Sequence, residues 1–145
     1  MSNMSGVKGN KALIFNMIIP IFIGGVIYYI MSPDVLFVKL IDGFIGESLH
    51  IFQVYEDNVI LRVIRNYFLD MLWGYALVFA LFLVFGNDTA KLKIIFILAF
   101  IFTVTMEFLQ LSSIAGGTFD VWDIATMFLS EVLAVFVIKR VTILK

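Results

Sequence analysis

The chain has 145 residues, 62% of them hydrophobic and 16 of them phenylalanine, with a formal net charge of −1 and a mean hydropathy of +1.06. This composition excludes a soluble domain and leaves room for about four membrane spans of roughly 20 residues each. Near-neutral charge carries no nucleic-acid footprint. The lack of cysteine removes disulfides, thiol catalysis and Cys-ligated metals, and the single His50 leaves no His-rich metal site. No metal or other cofactor is expected.

In chain order, the first apolar stretch runs from Ala12 to Met31. It is longer than a secretion-signal core and no small-x-small cleavage site follows before Ser32-Pro33-Asp34, so it reads as a retained span. Ser32 with Pro33 then looks like a helix start, Ser as N-cap and Pro at the first helical position. Leu36, Phe37, Leu40, Ile41, Phe44 and Ile45 recur at helical spacing, with Asp34, Lys39 and Asp42 off that stripe. The pattern predicts an amphipathic helix lying in the membrane interface, within an interfacial segment covering 33–58. From Glu47 to Tyr55 the pattern is mixed, and strand, loop and helix stay open. His50 reads as a surface histidine.

Asn58 is a candidate cap for the next helix. Arg62, Asn66 and Asp70 fall at i, i+4 and i+8, which predicts one polar stripe on a continuous helix over 59–85. Such a helix is about 40 Å long at 1.5 Å per residue and overruns the hydrocarbon core, so its first turns stand among the headgroups. The spans proper are 67–85, 94–111 and 121–138, separated by Gly86-Asn87-Asp88-Thr89 and by Ser112-Ser113-Ile114-Ala115-Gly116-Gly117. With 12–31 they make an all-α integral membrane protein of about four transmembrane helices plus the interfacial helix, in one helical domain over 1–145.

Basic residues orient it. Lys8, Lys11, Lys91, Lys93, Lys139, Arg140 and Lys145 gather on one side, whereas Lys39, Arg62 and Arg65 on the other are diluted by five acidic residues. The positive-inside rule then puts both termini in the cytoplasm of a plasma-membrane, multi-pass protein.

Against this apolar background, Glu107, Gln110, Asp120 and Asp123 stand out. A charge at the bilayer centre costs roughly 2.5–3.5 kcal/mol on insertion scales, so such groups usually mark a site. Topology places Asp70, Glu107, Gln110, Asp120 and Asp123 at the outer ends of three helices, converging at one depth. Glu107 and Gln110 share a face at i, i+3. Asp123, Thr126 and Ser130 share another at i, i+3 and i+7, and Ala134 extends it with a small residue suited to close helix packing.

The structural alternatives are specific. Asp120 or Thr118 suits a cap on the last helix, Asp123 suits that helix's positive dipole end, and Asp70 has Arg62 and Arg65 within reach. Trp73 and Trp122 read as interface and packing aromatics. Glu131 lies deeper, with snorkelling inward and pairing with a neighbour both open. Glu107 is the residue hardest to explain by structure alone, about one turn inside the membrane among Met106, Phe108 and Leu109.

Glu107-Phe108-Leu109-Gln110, followed after a gap by Gly117-Thr118-Phe119-Asp120-Val121-Trp122-Asp123, resembles the signature of the VanZ-like membrane proteins. Arg65-Asn66-Tyr67-Phe68-Leu69-Asp70-Met71-Leu72-Trp73 is similar to the second-helix element of that family's short members. The likeness covers roughly residues 62–134. Where the family continues with an Asn four residues past the second Asp and with Gly further on, this chain has Met127, Ser130 and Ala134. The resemblance implies a cell-envelope protein of the kind linked to reduced susceptibility to teicoplanin-type glycopeptides in Gram-positive bacteria. It supplies no biochemical activity.

Four functions compete. The first is binding or modulation of a membrane lipid or lipid-linked cell-wall precursor. In it Arg62, Arg65 and Asn66 reach a phosphate, and Asp70, Glu107, Gln110, Asp120 and Asp123 take hydroxyls or amines. The second is an enzyme acting on a lipid-linked phosphate or sugar, with Glu107, Asp120 and Asp123 on a divalent cation or two of them as acid and base. No nucleophile stands beside a base, which favours binding over catalysis. The third is a proton relay, which wants a ladder of charges across the membrane and finds only Glu131 below the cluster. The fourth is a purely structural role for the polar cluster.

Overall fold

The computed structural model describes residues 4–32, 36–46, 58–111 and 119–143. Helix α1 covers Met4–Met31 and α2 covers Leu36–Ile45. Helix α3 (Val59–Val63) runs through a π-helical turn, Ile64–Phe68, into α4 (Leu69–Val84). A single 3-10 turn, Thr89–Lys91, leads into α5 (Leu92–Leu111), and α6 covers Val121–Ile143. The described residues contain no strand. Four stretches are long and apolar enough to cross a membrane: Asn10–Met31, Val59–Val84, Thr89–Gln110 and Val121–Ile143. The chain is an all-α, multi-pass membrane protein, with its second and fourth crossings longer than 67–85 and 121–138.

Local chemistry sets the helix ends. Asn58 Oδ1 accepts from the N–H groups of Ile60 and Leu61 at 2.9 and 3.3 Å, the cap expected of it. Gly86 and Asn87 take positive φ (83° and 59°) and turn the chain after α4. Asp88 then caps the following turn through Ala90 N–H at 2.9 Å. Asp120 caps α6, its Oδ1 accepting from Trp122 N–H at 2.9 Å; the alternative cap, Thr118, lies outside the described residues. So do 112–117, 47–57 with His50, and the expected helix start at 33–35.

Packing arranges the crossings around α4, which lies against α1, α5 and α6. The approach of α4 to α6 is close: a Cβ built on Gly74 would sit 2.7 Å from Ser130 Oγ and 3.4 Å from the Met127 carbonyl. Ser130 and Ala134, the small residues of the α6 stripe, are both buried there. An apolar core of Leu13, Val78, Phe79, Phe82, Leu92, Ile95, Ala99, Ala134 and Ile138 fills one half of the bundle. At that end Asn87 Nδ2 donates to Asn10 Oδ1 at 3.0 Å, tying the α4–α5 turn to the start of α1. Large apolar side chains such as Phe15, Phe22, Ile101, Leu129 and Phe136 point outward, as lipid-facing residues do.

Helix α2 falls where the spacing predicts an amphipathic helix. Val38 is fully buried, while Leu40 and Phe44 are exposed. Tyr29 donates its hydroxyl proton to Asp42 Oδ1 at 2.7 Å, anchoring α2 to α1 through a residue of its polar face.

Candidate functional site

The opposite half of the bundle is polar. Here the end of α1, the π turn and first turns of α4, the last turns of α5 and the start of α6 line an open cavity of about 360 Å³. Seven of the eight residues singled out from sequence line it: Arg65, Asn66, Asp70, Glu107, Gln110, Asp120 and Asp123.

Arg62 is the exception. The expected stripe of Arg62, Asn66 and Asp70 assumed an unbroken α-helix, but Ile64–Phe68 forms one π turn, closed by Leu69 N–H donating to Ile64 carbonyl. The i→i+5 bonding takes in one residue more than an α turn, so the face rotates by roughly 100° relative to α register. Of the two arginines expected at the site, Arg65, five residues before Asp70, lines the cavity, and Arg62 is exposed outside it.

Each wall is held by its own contacts. Arg65 Nε donates to Ser32 Oγ at 3.3 Å, so the guanidinium is tied to the end of α1. Ser32 N–H donates to the Tyr28 carbonyl at 3.0 Å and closes that helix. On the far wall Glu107 is only 5% exposed, and its Oε2 accepts from Asp120 N–H at 3.4 Å. Tyr67 donates its hydroxyl proton to Asp120 Oδ2 at 3.4 Å, linking the π turn to the same capping carboxylate. Asp70 lies within electrostatic reach of both Asp123 and Glu107. Asp123 Oδ1 is shielded from solvent and has no hydrogen-bond partner among the described residues.

Four lining residues lie outside the set expected from sequence: Tyr28, Ser32, Leu69 and Trp73. Tyr28 and Ser32 are i, i+4 in the closing turn of α1 at the depth of the carboxylates, and that spacing is the signal that was available. Trp73 is i+3 from Asp70 and borders the cavity while half exposed, so its packing role and its place at the site coincide. Trp122 is exposed and lines a separate recess of about 180 Å³ with Tyr67 and Thr126.

Glu131 belongs to neither recess. It is fully buried, about 15 Å along α6 from its start, and does not snorkel. Thr103 of α5 donates to its Oε1 at 2.7 Å, while Oε2 has no partner among the described residues.

The cavity therefore presents four carboxylates, one guanidinium, two amides, two hydroxyls and an indole. It can hydrogen-bond a polar ligand on several sides. Among the described residues no three acidic or histidine side chains are arranged to hold a metal ion.

Fold and cavity define a multi-pass, all-α membrane protein with a polar chamber at one end of its bundle. No family model, curated protein or solved structure matches the chain. The likeness to VanZ-like proteins rests on the residues alone.

Proposed function

We propose that this is a VanZ-like plasma-membrane protein that binds or modulates a lipid headgroup or a lipid-linked cell-wall precursor in this cavity. Both termini lie in the cytoplasm, which puts the cavity in the outer leaflet, where envelope precursors are used. The basic residues support that orientation: Lys11, Lys91, Lys93, Lys139 and Arg140 belong to the end away from the cavity.

One observation carries the reading. Polar residues far apart in sequence, on the π turn, α4, α5 and α6, line one chamber of about 360 Å³. A purely structural cluster is expected to satisfy its own groups, whereas Asp123 Oδ1 has no hydrogen-bond partner among the described residues. An outer-leaflet binder of this kind also fits the glycopeptide-susceptibility and envelope effects that the resemblance implies.

The test is thermal stabilisation of the purified protein by individual envelope lipids, in the wild type and in folded Glu107→Gln and Asp123→Asn variants. At least one lipid is expected to stabilise the wild type and to lose most of that effect in the variants. Equal stabilisation of wild type and variants by every lipid would mean an unspecific lipid shell and overturn the reading.

A further inference from the structure

We infer that the group this cavity takes is a primary ammonium, carried by an amine-bearing phosphate ester. The ammonium sits among Asp70, Glu107 and Asp123, and the ester's anionic end lies toward Arg65. The inference rests on the binding function proposed above and names the chemistry of the ligand.

Charge is the first argument. Four carboxylates and one guanidinium line the chamber, a formal imbalance of three negative charges (four minus one). The recess lies between apolar helices, where such an imbalance is screened less than on an open surface. Sugar or glycerol hydroxyls would bring hydrogen bonds but no compensating charge. An ammonium brings both a positive charge and three donors.

An unfilled acceptor is the second. Asp123 lines the chamber, and its Oδ1 is shielded from solvent with no donor among the described residues. A buried carboxylate oxygen without a donor is costly, and a ligand N–H meets that need. A chelated metal ion fits less well, because no three acidic side chains are arranged to hold one among the described residues. An ammonium makes hydrogen bonds of ordinary length to acceptors spread around it.

Polarity across the chamber is the third. Ser32 fixes Arg65 on the α1 wall, whereas the Asp120 N–H draws Glu107 to the α6 wall. Arg65 and Glu107 thus stand on different walls, with Asp70 on the helix that carries Arg65, an arrangement that suits a ligand carrying both charges. A guanidinium is well matched to phosphate oxygens.

The experiment measures binding of defined lipids to the full chain in detergent by native mass spectrometry, with thermal stabilisation as a second readout. Phosphatidylethanolamine is compared with phosphatidylglycerol, which replaces the amine by hydroxyls, and with phosphatidylcholine, which keeps the charge but has no N–H. Soluble phosphoethanolamine serves as competitor. Phosphatidylethanolamine is expected to bind at least about tenfold more tightly than either comparison lipid. Asp123→Asn and Asp70→Asn, each checked for helix content and monodispersity, should remove that preference. Competition by phosphoethanolamine assigns the site to the headgroup alone, and binding of the lipid without such competition assigns it to the intact lipid; either supports the amine. Equal, Asp123-dependent binding of phosphatidylglycerol would overturn the amine and leave the binding function standing. Binding of no lipid in an Asp123-dependent way would overturn both.

Discussion

The backbone N–H of Asp120 donates to Oε2 of Glu107 at 3.4 Å, so a carboxylate near the end of α5 reaches the cap of α6. The same Asp120 uses Oδ1 to cap Trp122 N–H and Oδ2 to accept from Tyr67. One short residue thereby joins α5, α6 and the π turn at the rim of the cavity. Its structural and candidate binding roles are separable by chemistry.

Asp120→Asn keeps an oxygen for the cap and removes the charge, whereas Asp120→Ala removes both. Asp120→Ala is expected to cost about 1 kcal/mol of stability and Asp120→Asn much less. Both should weaken ligand binding. Unfolding in detergent, followed by circular dichroism, gives the first comparison, and lipid titration gives the second.

The π turn makes a sharper prediction, because it separates two arginines that the sequence placed together at the site. Arg65→Gln should weaken binding of a phosphate-bearing lipid by roughly tenfold or more, the value of a charge-assisted hydrogen bond. Arg62→Gln, at an exposed position outside the cavity, should leave binding within about twofold, the small effect expected of a screened surface charge. Equal losses in the two variants would indicate the unbroken α-helical register instead.

Close approach of α4 to α6 is testable at Gly74. Gly74→Ala places a methyl 2.7 Å from Ser130 Oγ and is expected to destabilise by about 1–2 kcal/mol, as overpacking does. Ser130 holds its hydroxyl toward the Met127 carbonyl at 2.7 Å. Removing that oxygen in the Gly74→Ala, Ser130→Ala double variant should recover much of the loss. A double-variant stability equal to the sum of the single losses would show that the two residues do not clash.

Deep in the bundle, Thr103→Val deletes the hydroxyl that donates to Glu131 Oε1. Leaving a buried acceptor without its donor is expected to cost about 1–3 kcal/mol, with Thr103→Ser close to wild type. Glu131→Gln retains an acceptor for Thr103 and should be tolerated better than Glu131→Leu in the presence of Thr103. Chemical unfolding in mixed micelles orders the variants.

Much of this architecture is legible from local pattern. The runs of Ile, Phe, Leu and Val mark the crossings, Asn58 and Asp120 announce their helices, and the α2 spacing gives an amphipathic helix. Even the gathering of Asp70, Glu107, Gln110, Asp120 and Asp123 follows from alternating span direction, since residues near helix ends on one side share a depth. Depth, however, is only one coordinate. By α periodicity Arg62 shares a face with Asn66 and Asp70, and a single wider turn moves it away from the cavity.

What the sequence by itself determined is therefore the set of crossings, their capping and the level at which the polar residues lie, because hydrophobic burial and end-capping depend on neighbours along the chain. Tertiary structure alone decided which helix faces meet. It kept Arg65 at the cavity while leaving Arg62 outside, and it brought Tyr28 of α1 and the following Ser32 there. It also paired Glu131 with Thr103 and pressed Gly74 against Ser130. Rotational phase is set by packing between helices, and a one-residue change in the winding of a helix turns every later side chain to a new partner.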